Sequence, residues 1–152
     1  MKSNKLCVVL DTNILMVSFL PHHKHFWLYK ALENGHFTLL LSNEILEEYY
    51  EKIAERYNMV IADMLTFALP NLKNSVQVSP TYRFLLIKAD PDDDKFVDCA
   101  VAGNADFIVT HDGHFNVLKS IAFPVVEIVT IEEFKGILDE YLKNTEGGTL
   151  SD

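Results

Sequence analysis

An α/β fold, built as a three-layer α/β/α sandwich around a parallel sheet of about five strands, is expected from three features of this chain. Short, continuously apolar runs recur along it, as strands buried on both faces require. Stretches with apolar residues at helical spacing separate those runs. Turn and cap residues stand at the junctions, and strands alternating with helices imply parallel pairing.

The elements follow in order. Leu6-Cys7-Val8-Val9-Leu10 reads as the first buried strand. Residues His25 to Asn34 read as a helix closed by Gly35. Phe37 to Leu41 is a second strand, after which Ser42 caps a helix running to about Tyr57. Ile45, Leu46, Tyr49 and Ile53 form its apolar stripe. A further helix is expected over Val60 to Leu69, ended by Pro70, and Val76 to Val78 is a short strand candidate. Lys95 to Ala102 is a strongly apolar helix, and Phe107 to Thr110 and Val125 to Val129 are the remaining strands. Thr130 with Glu133 forms a capping box for a last helix, Ile131 to Leu142. One domain over residues 1–143 and a polar, disordered tail over residues 144–152 are expected.

Composition narrows the function. The chain has 152 residues, 49% of them hydrophobic, enough for a sizeable core and too many for a disordered chain. No apolar run is long enough to span a bilayer, and the N-terminus lacks the apolar centre of a secretory signal. Cys7 and Cys99 lie in apolar runs and read as reduced core residues, so a cytoplasmic protein is expected. A net charge of −9 opposes broad nucleic-acid binding. Carboxylates that converge on cations would reverse the sign locally, leaving weak or localised RNA contact or a partner that supplies it.

Acidic residues at strand ends carry the chemistry. Asp11 follows the first strand directly, and Asp112 follows Ile108-Val109-Thr110-His111. In open parallel sheets, ligands bind beyond the carboxyl ends of the strands where the strand order reverses. Asp90-Pro91-Asp92-Asp93-Asp94 opens a helix, and within it Asp93 shares a face with Phe96, Val97 and Ala100, pointing towards the sheet. Asp90 with Pro91 also fits a plain N-cap, and its neighbours fit the helix dipole. A calcium loop is excluded because its sixth and twelfth positions are Lys95 and Val101. Asp98 is either a supporting group or a core acid. In the helix after Ser42, Glu44 lies opposite the apolar stripe, and helical geometry leaves Glu47 and Glu48 equivalent. His22, His23 and His25 lack the spacing of a zinc site. His111 and His114 bracket Asp112 and are loop histidines within reach of a substrate phosphate. Phe26, Trp27 and Tyr29 read as core and interface rather than a base-stacking platform.

Four segments together resemble the motifs of PIN domains: Val9-Leu10-Asp11-Thr12-Asn13-Ile14-Leu15, Leu41 to Tyr49, Asp90 to Ala100, and Ala105 to Asp112. The resemblance runs from about Leu6 to Leu142 and is closest to the bacterial branch described as toxins of toxin–antitoxin systems. It implies the strand order 3-2-1-4-5, which makes the strands ending at Asp11 and Asp112 neighbours. It also implies Asp11, Glu48, Asp93 and Asp112 as catalytic and metal-binding acids, supported by Thr12, Asn13 and Thr110. The implied activity is hydrolysis of RNA phosphodiester bonds with Mg²⁺ or Mn²⁺. The implied partners are a cognate antitoxin protein and further copies of the chain, in a dimer or larger assembly. Two rivals stand beside it: a PIN-like binding module acting through a protein partner, and a metal-dependent phosphohydrolase for small phosphate esters. An aspartyl-phosphate enzyme is disfavoured because Asn13 occupies the position of its second acid.

Overall fold

The computed structural model describes residues 5–145. Five strands form one parallel sheet in the order β3-β2-β1-β4-β5: β1 Cys7–Leu10, β2 Thr38–Leu41, β3 Ser75–Gln77, β4 Phe107–Val109 and β5 Ile128–Val129. Helices flank it, making the expected three layers: α1 Thr12–Met16, α2 Phe26–Glu33, α3 Asn43–Arg56, α4 Met59–Ala68, α5 Asp94–Ala102 and α6 Ile131–Thr145.

The central strands form because their side chains are apolar on both faces. Val8, Val9 and Leu10 of β1 and Leu39, Leu40 and Leu41 of β2 are buried. They belong to one connected core with Phe37, Phe96, Phe115 and Phe134, and the ring of Phe134 meets Phe37 edge-on at 5.3 Å. Helix ends are set by local hydrogen bonds. Ser42 Oγ accepts from Ile45 N at 3.2 Å, and Asn58 Oδ1 accepts from Ile61 N at 2.8 Å. Gly35, at φ +74°, turns the chain so that His36 N donates to Ala31 O at 2.9 Å. Thr130 and Glu133 cap α6 reciprocally, each backbone N–H donating to the other's side chain, at 2.8 and 3.1 Å.

Several boundaries differ from expectation. Pro70 does not end α4 but sits in a 3-10 turn, Leu69–Asn71, that continues it. Residues 113–120 form a 3-10 stretch with no apolar period to announce it. The last strand is confined to Ile128–Val129, because β4, its only neighbour, is three residues long and Val125 stands exposed. Asn144 and Thr145 belong to α6 rather than to a tail, and residues 146–152 of the expected disordered tail lie outside the described residues.

What positions the site is the reversal of strand order at β1. The chain runs outward from β1 through β2 to β3, then returns to β4 on the other side of β1. Asp11 N donates to Val109 O at 3.1 Å, so the ends of β1 and β4 are tied where the crevice opens.

Candidate active site

Asp11 is the best-held acid of the crevice. Its Oδ1 accepts from Thr12 N and its Oδ2 from the Thr110 hydroxyl, both at 2.8 Å. The register Leu10↔Val109 places Thr110 opposite Asp11 across the β1–β4 pair. Thr110 Oγ1 in turn accepts from Asp112 N at 3.0 Å, so one hydroxyl fixes both acids. Asp112 Oδ1 accepts from His114 N at 2.9 Å as the following 3-10 stretch begins.

Glu48 comes to the same place from α3. Tyr49 is fully buried and its hydroxyl donates to Leu10 O at 2.5 Å, pinning α3 to the end of β1. The turn that buries Tyr49 brings Glu48 to the crevice, while Glu47 faces solvent. Glu48 Oε2 accepts from the Thr12 hydroxyl, and its Oε1 pairs with Lys95 Nζ at 2.9 Å, largely out of water. Lys95 is a functional contact that sequence reasoning missed, since a lysine after an acidic run reads as a solvated counter-charge.

Asp93 closes the 3-10 turn Pro91–Asp93 that leads into α5, and it is buried. Its Oδ2 is shielded from solvent without a hydrogen-bond partner. Such an oxygen costs folding free energy unless something fills its place. Burial, with Asp11, Asp90 and Asp112 nearby, pushes its carboxyl up to about 8. Burial likewise raises Asp11 to about 6, against the lowering effect of the Thr110 and Thr12 hydrogen bonds and with Asp112 and Glu48 adding to the rise. Acids drawn together at such electrostatic cost fit a site for cations, whose charge removes the repulsion.

Asp11, Glu48, Asp93 and Asp112 are thus gathered at one crevice, with Thr12 and Thr110 bonded to them and Asn13 exposed beside them. Other acids have different places. Asp90 Oδ1 caps Asp92 N at 3.2 Å. Asp94 Oδ1 accepts from Ile87 N at 2.8 Å and Asp98 Oδ1 from Phe84 N at 3.0 Å, so both buried acids hold the segment before α5. Glu44 is exposed and pairs with Arg83 at 2.6 Å. His111 Nε2 accepts from Ile131 N at 3.3 Å and lies 3.2 Å from Glu132, a tie to α6. His23 Nδ1 accepts from Leu20 N at 3.1 Å, and its ring packs edge-on to Phe19. Trp27 is buried beneath Lys135, and both cysteines are free thiols. The largest cavity, about 350 Å³ and lined in part by Leu6, Cys7 and Tyr141, opens beside the start of β1, away from these acids.

A family model described as "PIN domain" matches residues 7–114. Among solved structures, the chain is similar to the crystal structure of VapBC2 from Rickettsia felis bound to a DNA fragment from their promoter. Identity there is 16% with a TM-score of 0.58, over 82% of this chain and 98% of that one, a likeness that bears on fold. No curated protein sequence matches the chain.

Proposed function

The chain belongs to the PIN-domain family, and on that premise we propose that it is a divalent-metal-dependent endoribonuclease, the toxin of a toxin–antitoxin pair. The observation that carries this reading is the buried, unpartnered Oδ2 of Asp93 beside Asp11 and Asp112 at the carboxyl ends of adjacent strands. In our reading Asp11, Glu48, Asp93 and Asp112 hold Mg²⁺ or Mn²⁺. Such cations would make a nearby water more acidic and offset charge building on a phosphodiester.

The protein's own groups supply position. Thr12 and Thr110 fix the Asp11 carboxylate, so its orientation is set before any substrate binds. Thr12 and Lys95 hold the two oxygens of Glu48, which orients the attacking water or contributes to cation binding. Asn13 stands exposed at the mouth, where a supporting contact to RNA is available. In-line attack at phosphorus would leave a 5′-phosphate and a 3′-hydroxyl.

The partner part of the reading rests on different support. The Rickettsia felis relative in fold is a VapBC2 structure, and by that likeness we infer a cognate antitoxin here. Met59, Val60, Met64 and Phe67 stand exposed along α4, an apolar surface consistent with association, including the homo-oligomer that the resemblance implies. No helix among the described residues is long and apolar enough to cross a membrane, consistent with a cytoplasmic site of action.

End-labelled single-stranded RNA incubated with purified protein and Mg²⁺ or Mn²⁺ tests the reading. Fragments with 5′-phosphate ends that disappear in EDTA are expected. Fragments ending in 2′,3′-cyclic phosphate, or cleavage that survives EDTA, would contradict it.

A further inference from the structure

Asp90, Asp93 and His114 meet at the outer edge of the acidic crevice, each offering one ligand atom within 4.8 Å of the other two. The three arrive from two separate turns. Asp90 caps the 3-10 turn Pro91–Asp93, which uses its Oδ1 and fixes its backbone. His114 lies in the 3-10 stretch after β4, its backbone N–H held by Asp112 Oδ1 and its Nδ1 3.5 Å from that same oxygen. Asp93 lies innermost, and only 7% of it is exposed. Its Oδ2 has no hydrogen-bond partner, an independent sign that something fills the space between the three.

We propose that Asp90, Asp93 and His114 form a mixed carboxylate–imidazole site for a first-row transition cation such as Mn²⁺. It stands beside the oxygen-only group of Asp11, Glu48 and Asp112, with Asp93 shared between them. The site rests on the nuclease reading only for its place in the crevice, not for its ligands. An imidazole nitrogen distinguishes cations that carboxylates alone do not. Mg²⁺ takes oxygen donors and keeps its waters, whereas Mn²⁺ and later metals accept nitrogen. The half of the crevice that contains His114 is therefore selective for transition cations.

Electron spin-echo spectroscopy of the full chain loaded with Mn²⁺ alone tests this. Imidazole nitrogen coupling is expected in the unmodified protein and in His22→Gln, which removes an exposed imidazole elsewhere, and it should vanish in His114→Gln. Mn²⁺ affinity should fall about tenfold or more in His114→Gln and in Asp90→Asn, which retains the cap. Mg²⁺ affinity should change by less than about twofold in His114→Gln. Coupling absent from the unmodified protein, or persisting in His114→Gln, would overturn the site. RNA cleavage by the same preparations separates the two readings. Nitrogen-coupled Mn²⁺ without cleavage would uphold this site and remove the nuclease assignment. Cleavage without nitrogen coupling would do the reverse.

Discussion

Asp11 and Asp93 destabilise the fold when no cation is bound, and the sign follows from their pKa values. A carboxyl raised from 3.8 to about 6, as at Asp11, keeps a proton that the unfolded chain has lost, a difference on the order of 3 kcal/mol. Asp93, raised to about 8, acts in the same direction. Both contributions are absent below the unfolded pKa of about 4 and grow as the pH rises through about 6 and about 8. Thermal melts in EDTA should therefore show stability falling from about pH 5 to pH 8, and a flat or rising profile would contradict the cited pKa values. Asp93→Asn should raise the metal-free melting temperature at pH 8 by about 4 °C or more while removing stabilisation by Mn²⁺. Thr110→Val deletes the hydroxyl joining Asp11 to Asp112 and should cost about 10–100-fold in single-turnover cleavage with the fold intact. Much of this site was legible in the sequence, because Asp11 and Asp112 follow apolar runs directly. Helical spacing left Glu47 and Glu48 equal, and what separates them is the burial of Tyr49 against Leu10, a tertiary contact. Asp94 and Asp98 were undecidable for a similar reason, since their partners are backbone amides 7 and 14 residues away.

Those two acids clamp the segment leading into α5. Removing the Asp98 carboxylate in Asp98→Ala frees Phe84 N, and limited proteolysis should then cut near residues 80–88 at least several times faster. Asp98→Asn keeps an acceptor oxygen and should cut more slowly than the alanine variant, so equal rates would contradict the clamp. Gly103 closes α5 for a steric reason, because a Cβ there would lie 2.4 Å from Leu40 Cδ1, itself buried in β2. Gly103→Ala should cost about 1–3 kcal/mol in urea unfolding. Strongly apolar strands and capped helices were readable from the chain, Ser42 and the Thr130–Glu133 pair above all. Helix α1 was not, since its five residues complete fewer than two turns and establish no period. The last strand was read too long because the length of β4, not the apolar character of Val125 and Val126, limits pairing.

At the scale of the molecule, a net charge of −9 and an RNA substrate are compatible only if cations carry much of the contact. RNA binding measured by fluorescence anisotropy should be weak in EDTA and strengthen with Mg²⁺ or Mn²⁺, and equal binding in both would remove that dependence. The fold brings the acids together because β1 lies between β2 and β4, so parts of the sequence up to 101 positions apart share one crevice, Asp11 and Asp112 being the extremes. Cleavage of a mixed single-stranded RNA pool by the unmodified chain and by Asp11→Asn, prepared identically, tests that assembly most directly. With Mg²⁺ or Mn²⁺ present, the unmodified chain should cleave and Asp11→Asn should not, although both fold alike by circular dichroism. Equal cleavage by the two would contradict the assignment of Asp11, and with it the metal centre built around it.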